Sequence, residues 1–231
     1  MKNSILIAIL VVGFPTLACA DIKNAMQSVC RVTVTYKEVS EDDPEVKVIK
    51  YAAGTGVIYQ EDEKKYWIMT AGHVVDKEDV SKIEVEFFAK GFQTTRFEVK
   101  KAWLNYTHGG TNDLAILHME KASLGRWHKP TVMPIAPRTR KLKVHQVVFS
   151  TGCPKGSWPT TFLGHIRSTQ GSTFTFVPCP HKGRSGSPVF DENGTEIIGI
   201  VIWQDPERHQ YGTAISVAGI YRFTNWGKSK R

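Results

Sequence analysis

The sequence predicts an all-β fold, built as a barrel or a sandwich. Its 231 residues contain many short runs in which apolar and polar side chains alternate, with turns rich in Gly, Pro and acidic residues between them. Such alternation indicates half-buried antiparallel strands. A helical pattern is found only near the C-terminus, and 41% of the residues are hydrophobic. A chain of this length and composition can form one large core or two small ones.

The predicted strands fall into two series. The first series comprises residues 29–36, 54–59, 82–88 and 92–103. The second series comprises residues 144–150, 160–167, 172–177, 188–190 and 196–203. Between them, residues 119–140 contain several prolines and few strand-forming residues, which favours an interdomain connection. Residues 215–226 place apolar side chains at helical spacing, so we expect a C-terminal helix that packs on the second series.

A glycine-flanked serine is the candidate nucleophile. Residues 183–188 read Gly-Arg-Ser-Gly-Ser-Pro and lead into a predicted strand. Gly183 allows a tight turn in which the N–H groups of Gly183 and Ser185 converge, as an oxyanion hole requires. A serine hydroxyl is a weak nucleophile, so a histidine base and an orienting carboxylate must lie elsewhere in the chain. Without those partners the segment would be an ordinary turn.

Two other segments supply the base and the carboxylate. His73 follows an apolar run that ends in Thr-Ala-Gly, and Asp113 begins another apolar run, where its carboxylate can be buried against an imidazole. Asp76 is a competing carboxylate, three residues after His73. We prefer Asp113, because Asp76 would point along the same short helix as the histidine. The resulting chain order is His, Asp, Ser.

These motifs, in this order, resemble the trypsin-like (chymotrypsin-fold) serine peptidases, particularly the short bacterial branch related to the HtrA protease domain, without a PDZ domain. The resemblance extends from about Cys30 to Ala218. It implies an all-β fold of two antiparallel six-stranded β-barrels with the active site in the cleft between them. We therefore expect a signal peptide, an N-terminal barrel with His73 and Asp113, a C-terminal barrel with Ser185, and a C-terminal helix with a basic tail, over residues 1–20, 21–134, 135–215 and 216–231.

The resemblance also implies a function. It identifies the chain as a serine endopeptidase in which His73 is the base, Asp113 orients it, and the amides of Gly183 and Ser185 form the oxyanion hole, with no cofactor. Two alternatives remain open from the residues themselves. One is a catalytically silent binding module with the same fold. The other is an esterase that uses the same triad.

The substrate pocket is also inferred from the resemblance. Its walls would be Cys179, Lys182, Ile202, Trp203, Gln204, Gly212 and Thr213. None of them is acidic, so we expect a small or medium apolar residue before the scissile bond, and not Lys or Arg. Asp205 or Glu207 would reverse this preference if the loop that carries them entered the pocket. Arg184 stands where digestive members of the family carry an aspartate that pairs with a newly cut N-terminus, so we do not expect activation by that route.

The N-terminus predicts export. Residues 1–20 combine a lysine, an apolar stretch and small residues at Ala18 and Ala20, which is typical of a signal peptide cleaved before Asp21. We therefore expect a periplasmic or extracellular protein. The apolar stretch is too short for a stable membrane span. Lipidation of Cys19 is an open alternative.

The remaining composition limits the partners that we expect. After signal cleavage the chain keeps Cys30, Cys153 and Cys179, which allows one disulfide or none; if one forms, we favour Cys153 with Cys179. The net charge is +8, but the basic clusters lack interleaved aromatic residues, so we expect no specific nucleic-acid site. Metal-binding motifs are missing from the sequence. We expect a monomer that acts on a protein or peptide substrate.

Overall fold

The computed structural model describes residues 19–88, 94–108, 110, 112–124, 130–204 and 210–229. The elements of the first half are α1 (Cys19–Ser28), β1 (Val29–Val39), β2 (Lys47–Glu61), β3 (Lys65–Thr70), α2 (Gly72–Val75), β4 (Val80–Phe88), β5 (Thr94–Glu98), β6 (Lys100–Tyr106), β7 (Asp113–Glu120) and a 3₁₀ turn (Lys121–Leu124). Those of the second half are β8 (Val147–Gly152), a 3₁₀ turn (Pro154–Gly156), β9 (Thr160–Gln170), β10 (Thr173–Val177), β11 (Pro188–Phe190), β12 (Ile197–Gln204), β13 (Gly212–Ser216) and α3 (Val217–Ser229).

The strands form two antiparallel β-structures, which confirms the predicted all-β fold class. The second half is a closed six-stranded barrel in the order β10-β13-β12-β11-β8-β9. The first half is a seven-stranded sheet in the order β5-β4-β1-β2-β3-β7-β6. Its two outer strands are separated in sequence by Val99 alone, whose N–H donates to the carbonyl of Ile83 in β4 at 3.0 Å. We expected residues 92–103 to form a single strand. In the structure this stretch contributes to two strands instead: β5 pairs with β4, and β6 pairs with β7.

The hydrophobic core continues from one half of the molecule into the other. The larger cluster combines residues of the sheet, such as Ile68 and Leu117, with Phe149 and Phe190 of the barrel. A second cluster fills the barrel itself around Phe174. Because side chains of both halves pack in one cluster, the cleft between the halves has a buried apolar base.

Two further elements contact both halves: the segment that links them and the last helix. Met133 donates its N–H to Ile58 of β2 at 2.9 Å, and Ala136 donates to Ile197 of β12 at 2.9 Å. The predicted C-terminal helix is present as α3. It packs on the barrel as expected and also reaches the sheet, since Phe223 contacts Trp103 of β6 edge-on with ring centroids 3.6 Å apart. Among the helices in the described residues, none has the length and hydropathy to cross a membrane.

Candidate active site

His73 and Asp113 are brought together by the pairing of β3 with β7. The residue after β3 is Ala71, and His73 lies in the short helix α2 that follows. Asp113 is the first residue of β7. The two strands are antiparallel, with Thr70 opposite Ala115, so the end of one lies beside the start of the other. One strand pair thus brings together two residues that are 40 positions apart in the sequence.

The carboxylate of Asp113 binds His73 at two points. Oδ1 accepts the backbone N–H of His73 at 2.8 Å, and Oδ2 lies 2.7 Å from Nδ1 of the imidazole. The Asp113 side chain is 8% exposed and that of His73 is 33% exposed, so the carboxylate is buried while the imidazole remains reachable from solvent. A carboxylate at Nδ1 holds the proton on that nitrogen and leaves the Nε2 lone pair free to accept one. Asp76, the competing acid, is exposed at the C-terminal end of α2.

The glycine before His73 allows this close approach. A Cβ atom on Gly72 would lie 2.9 Å from Cβ of Tyr106 and 3.1 Å from Oδ1 of Asp113. Tyr106 is the strand partner of Asp113, and its ring centroid lies 6.3 Å from that of His73. Burial, followed by the negative charge of Asp113, raises the pKa of Tyr106. Sequence reasoning missed Tyr106, because a tyrosine at a strand end is an ordinary residue there.

Ser185 lies in the loop between β10 and β11, whose path depends on Gly183. Gly183 has φ +88°, and a Cβ atom there would lie 2.5 Å from the backbone nitrogen of Lys155. The N–H of Lys155 donates to the carbonyl of Lys182 at 2.6 Å. Because a trans peptide places its N–H opposite its C=O, the N–H of Gly183 points away from the 3₁₀ turn that contains Lys155.

The two predicted oxyanion donors are available in this arrangement. Neighbouring amides of the loop are engaged: Gly186 donates to Val201 at 2.7 Å and Ser187 donates to Arg184 at 2.9 Å. Within the described residues, no backbone hydrogen bond uses the N–H of Gly183 or of Ser185. Two unpaired amides beside a serine hydroxyl can bind the negative oxygen of a tetrahedral intermediate.

Thr55 of β2 holds this loop from the opposite half of the molecule. Its N–H donates to the carbonyl of Ser185 at 2.8 Å, and its hydroxyl donates to the carbonyl of Gly183 at 3.0 Å. The same hydroxyl accepts the N–H of Cys153 at 3.0 Å. Sequence reasoning missed Thr55. The available signal was the Gly-Thr-Gly pattern of residues 54–56, because glycines within a strand often mark a place where another backbone comes close.

Arg184, next to the candidate nucleophile, is buried and anchors the loop to the barrel. Its guanidinium donates to the carbonyl of Thr160 at 2.8 Å and to that of Ser150 at 3.4 Å, and it lies 4.7 Å from the centre of the Phe162 ring. Burial lowers the pKa of Arg184 to about 10, so the group remains a cation at neutral pH. In the described part of the chain, no carboxylate forms an ion pair with it.

All three candidate catalytic side chains line one cleft of about 1150 Å³. Of the predicted substrate-binding residues, Lys182, Ile202 and Thr213 also line it. Gly212 does not, because its backbone is packed against the Phe176 ring, and neither does the half-buried Cys179. Trp203 and Gln204 belong to β12, but their side chains lie outside the described part of the structure, as do Asp205 and Glu207.

The favoured pairing of Cys153 with Cys179 does not occur, because Cys30, Cys153 and Cys179 are all free thiols. Cys30 and Cys153 are buried within the interior of the protein, whereas Cys179 is half-buried. Burial raises the pKa of the Cys153 thiol to about 12, and burial together with the neighbouring Cys153 raises that of Cys30. The described residues contain no cluster of three or more histidine, cysteine or acidic side chains that could hold a metal ion.

Comparison with known proteins places this geometry in a family. The sequence model of the trypsin-like peptidase domain matches residues 54–200. A crystal structure of the serine endoprotease from Yersinia pestis superposes with a TM-score of 0.68 at 21% identity, covering 93% of this chain and 68% of that chain. Rv3671c from M. tuberculosis H37Rv, solved as an inactive serine-to-alanine mutant, has a TM-score of 0.65 at 18% identity and covers 93% of both chains. No curated protein matches the sequence.

Proposed function

This chain belongs to the trypsin-like peptidase family, and from that membership we propose that it is an exported serine endopeptidase. In this proposal Ser185 is the nucleophile, His73 the general base and Asp113 the residue that orients the base. The reaction passes through an acyl-enzyme that water hydrolyses.

The proposed mechanism follows the positions of these groups. Nε2 of His73 removes the proton of Ser185 Oγ as this oxygen attacks the carbonyl carbon of the scissile bond. The N–H groups of Gly183 and Ser185 bind the resulting oxyanion, at a contribution of about 3–4 kcal/mol for each donor. The C–N bond then breaks and the leaving amine takes the proton from His73. A water molecule, deprotonated by His73, releases the acid product and restores the serine.

The observation that best supports this proposal is the two-point bond from Asp113 to His73, in a cleft that also contains Ser185. A histidine kept only for packing does not need a buried carboxylate at Nδ1 and a free Nε2 facing a cleft. The unpaired amides of the serine loop add to this support, because buried or half-buried N–H groups usually have partners.

A fluorophosphonate probe tests the proposal directly, because it reacts with an activated serine. We expect the wild type and Ser81→Ala, a matched change on the exposed part of β4, to be labelled equally, and Ser185→Ala to remain unlabelled. Hydrolysis of peptides by the unlabelled wild type distinguishes an endopeptidase from an esterase, which would act on esters alone. Equal labelling of Ser185→Ala, or no labelling of a folded wild type, would contradict the proposal.

The proposed export depends on residues 1–20, of which 1–18 lie outside the described residues. Mass spectrometry of the protein recovered from the medium or periplasm should give a chain that starts at Asp21. A mass that includes a diacylglyceryl group on Cys19 would show the lipoprotein alternative. Recovery of the full-length chain from the cytoplasm alone would contradict export.

A further inference from the structure

We propose that the cleft selects peptides with an acidic residue, glutamate above all, immediately before the scissile bond (position P1). This inference rests on the proposed function and names its substrate class. It is carried by a row of hydroxyl groups on one wall of the cleft and by cations around that row.

The hydroxyl row crosses three strands of the barrel. Thr175 of β10 stands opposite Ser168 of β9 on one side and opposite Thr213 of β13 on the other. Residues directly opposite each other in antiparallel strands project from the same face of the sheet. All three line the cleft that contains Ser185, and all three are half-buried.

These hydroxyls have protons available for a ligand. Ser168 and Thr175 lie 2.7 Å apart and share one hydrogen bond, which uses one of their two protons. Thr213 makes no side-chain hydrogen bond to any residue that the structure describes. Half-buried hydroxyl donors are poor neighbours for an apolar side chain, whereas each can donate to a carboxylate oxygen.

Among the described residues, the charged side chains that line the cleft are cations, apart from Asp113. Arg167, next to Ser168, lines the cleft with its guanidinium 5.4 Å from the centre of the Tyr211 ring, which lines it too. Lys77 and Lys182 are further cations of the lining. The one carboxylate in the described lining is Asp113, which already binds His73. A substrate carboxylate would therefore meet cations and hydroxyl donors, whereas a lysine or arginine would meet like charge.

This inference keeps one sequence-based expectation and replaces another. Exclusion of Lys and Arg from P1 remains. The expected small or medium apolar residue was based on the walls inferred from the resemblance, and strands β9 and β10, which carry Arg167, Ser168 and Thr175, were not among them. Their sequences contain no motif, and only the strand register places them in the cleft that contains Ser185.

The first test compares two peptides that differ only by Glu or Gln at P1, because this change alters charge and leaves size nearly constant. We expect kcat/KM to be at least about tenfold higher for Glu at low salt, a ratio typical of charge-assisted hydrogen bonds. The ratio should decrease with added NaCl, because Arg167 is exposed and its field is screened. Equal kcat/KM values would overturn the inference.

The second test assigns the effect to residues. Arg167→Gln should lower the ratio of kcat/KM for Glu to that for Gln several-fold. Thr213→Val should also lower this ratio, because valine has nearly the shape of threonine but lacks its hydroxyl donor. Arg222→Gln is the matched control, since it removes an exposed cation of α3 outside the cleft lining and should leave the ratio unchanged. An equal loss in Arg222→Gln and Arg167→Gln would show a general charge effect and overturn the inference.

Two further outcomes would overturn the inferred preference for an acidic P1 residue, and they can be told apart. A wild type that reacts with the probe and, without probe, cleaves preferentially after Ala, Val, Leu, Lys or Arg would overturn the acidic preference alone. In the case of Lys or Arg, loss of the preference in Asp205→Ala or Glu207→Ala would identify the acid in the pocket. A folded protein that neither reacts with a fluorophosphonate nor cleaves any peptide would contradict the proposed function, and this inference with it.

Discussion

Thr55 donates its backbone N–H to the carbonyl oxygen of Ser185 at 2.8 Å, across the boundary between the sheet and the barrel. Its hydroxyl bonds both the carbonyl of Gly183 and the N–H of Cys153. The side chain of Thr55 is fully buried, so water does not compete for these bonds. One residue of the half that carries His73 thus positions the loop that carries the candidate nucleophile.

We therefore predict that Thr55→Val reduces both stability and activity. The variant keeps the shape of the side chain but leaves the part-buried carbonyl of Gly183 and the buried N–H of Cys153 without this partner, at about 1–3 kcal/mol for each. Chemical denaturation should show a free energy of unfolding lower by roughly 2–6 kcal/mol, and kcat should decrease. Thr55→Ser is the control, because it keeps the hydroxyl, and its free energy of unfolding and kcat should both decrease less. An unchanged kcat in a folded Thr55→Val protein would show that these bonds do not position Ser185.

The second prediction concerns the triad as a unit. Ser185→Ala and His73→Ala should each reduce kcat by about 10⁶, and the double variant should lose little more, because each group works only with the other. Peptide-hydrolysis assays measure kcat, with the protein concentration determined by a method that does not depend on activity. Circular dichroism checks that each variant keeps its fold. Losses that multiply in the double variant would contradict a shared mechanism.

Residues that carry motifs could be predicted from the sequence, and residues that act through strand register could not. Ser185, His73 and Asp113 each lie in a local pattern, and the structure places all three in one cleft. Arg167 lies in a strand whose sequence shows only alternation, and the strand of Thr55 adds to its alternation only the Gly-Thr-Gly pattern of residues 54–56. Their positions depend on which strands pair and in which register, and alternation identifies a strand without identifying its partner.

The cysteines show the same limit. The pairing of Cys153 with Cys179 was inferred from their places in the sequence, because both flank the expected active-site loops. In the structure Cys153 is buried and hydrogen-bonds Thr55 through its backbone, while Cys179 is half-buried and contacts the carbonyl of Pro180. A disulfide depends on the directions of two Cβ atoms, which spacing along the chain does not determine.

The third prediction tests the role of Asp113. Asp113→Asn keeps the size of the side chain, but its amide favours the imidazole tautomer with the proton on Nε2, which cannot act as a base. We expect kcat to fall by about 10⁴ near neutral pH. Asp76→Asn, a matched change on the exposed acid, should have no comparable effect. The assignment would be wrong if the two variants were equally active.

The fourth prediction links the buried thiols to alkaline pH. Burial raises the folded pKa of Cys153 from the ordinary thiol value of 9.0 to about 12, so between these values the unfolded chain loses a proton that the folded protein keeps. The folded state then binds more protons, and stability must fall as pH rises from about 9 to 12, by up to about 1.4 kcal/mol per pH unit for this group. Urea denaturation at several pH values should show a shallower decrease for Cys153→Ala than for the wild type. If the free energy of unfolding fell equally steeply with pH in the wild type and in Cys153→Ala, this prediction would be wrong.

The fifth prediction is that the protein becomes active without a cut downstream of the proposed signal peptide. In relatives that start as inactive precursors, a new N-terminus pairs with an aspartate next to the nucleophile; here that position is Arg184, which bonds the carbonyls of Thr160 and Ser150 in its own barrel. Because the loop is already anchored by residues of the barrel, ordering it requires no new terminus. Fluorophosphonate labelling combined with intact-mass measurement should show modification of a chain that begins at Asp21.

Variants at the same position extend this last prediction. Arg184→Met can still pack on Phe162 but removes the donors to the buried carbonyl of Ser150 and the part-buried carbonyl of Thr160. We therefore expect a rate loss of roughly tenfold to a hundredfold, which corresponds to about 1–3 kcal/mol. Arg184→Lys keeps the charge without the planar fork and should lie between Met and the wild type. Labelling that appears only after cleavage beyond Asp21 would refute the prediction, and full activity of Arg184→Met would show that another contact orders the loop, for which the bonds of Thr55 to Ser185 and Gly183 are the leading candidate.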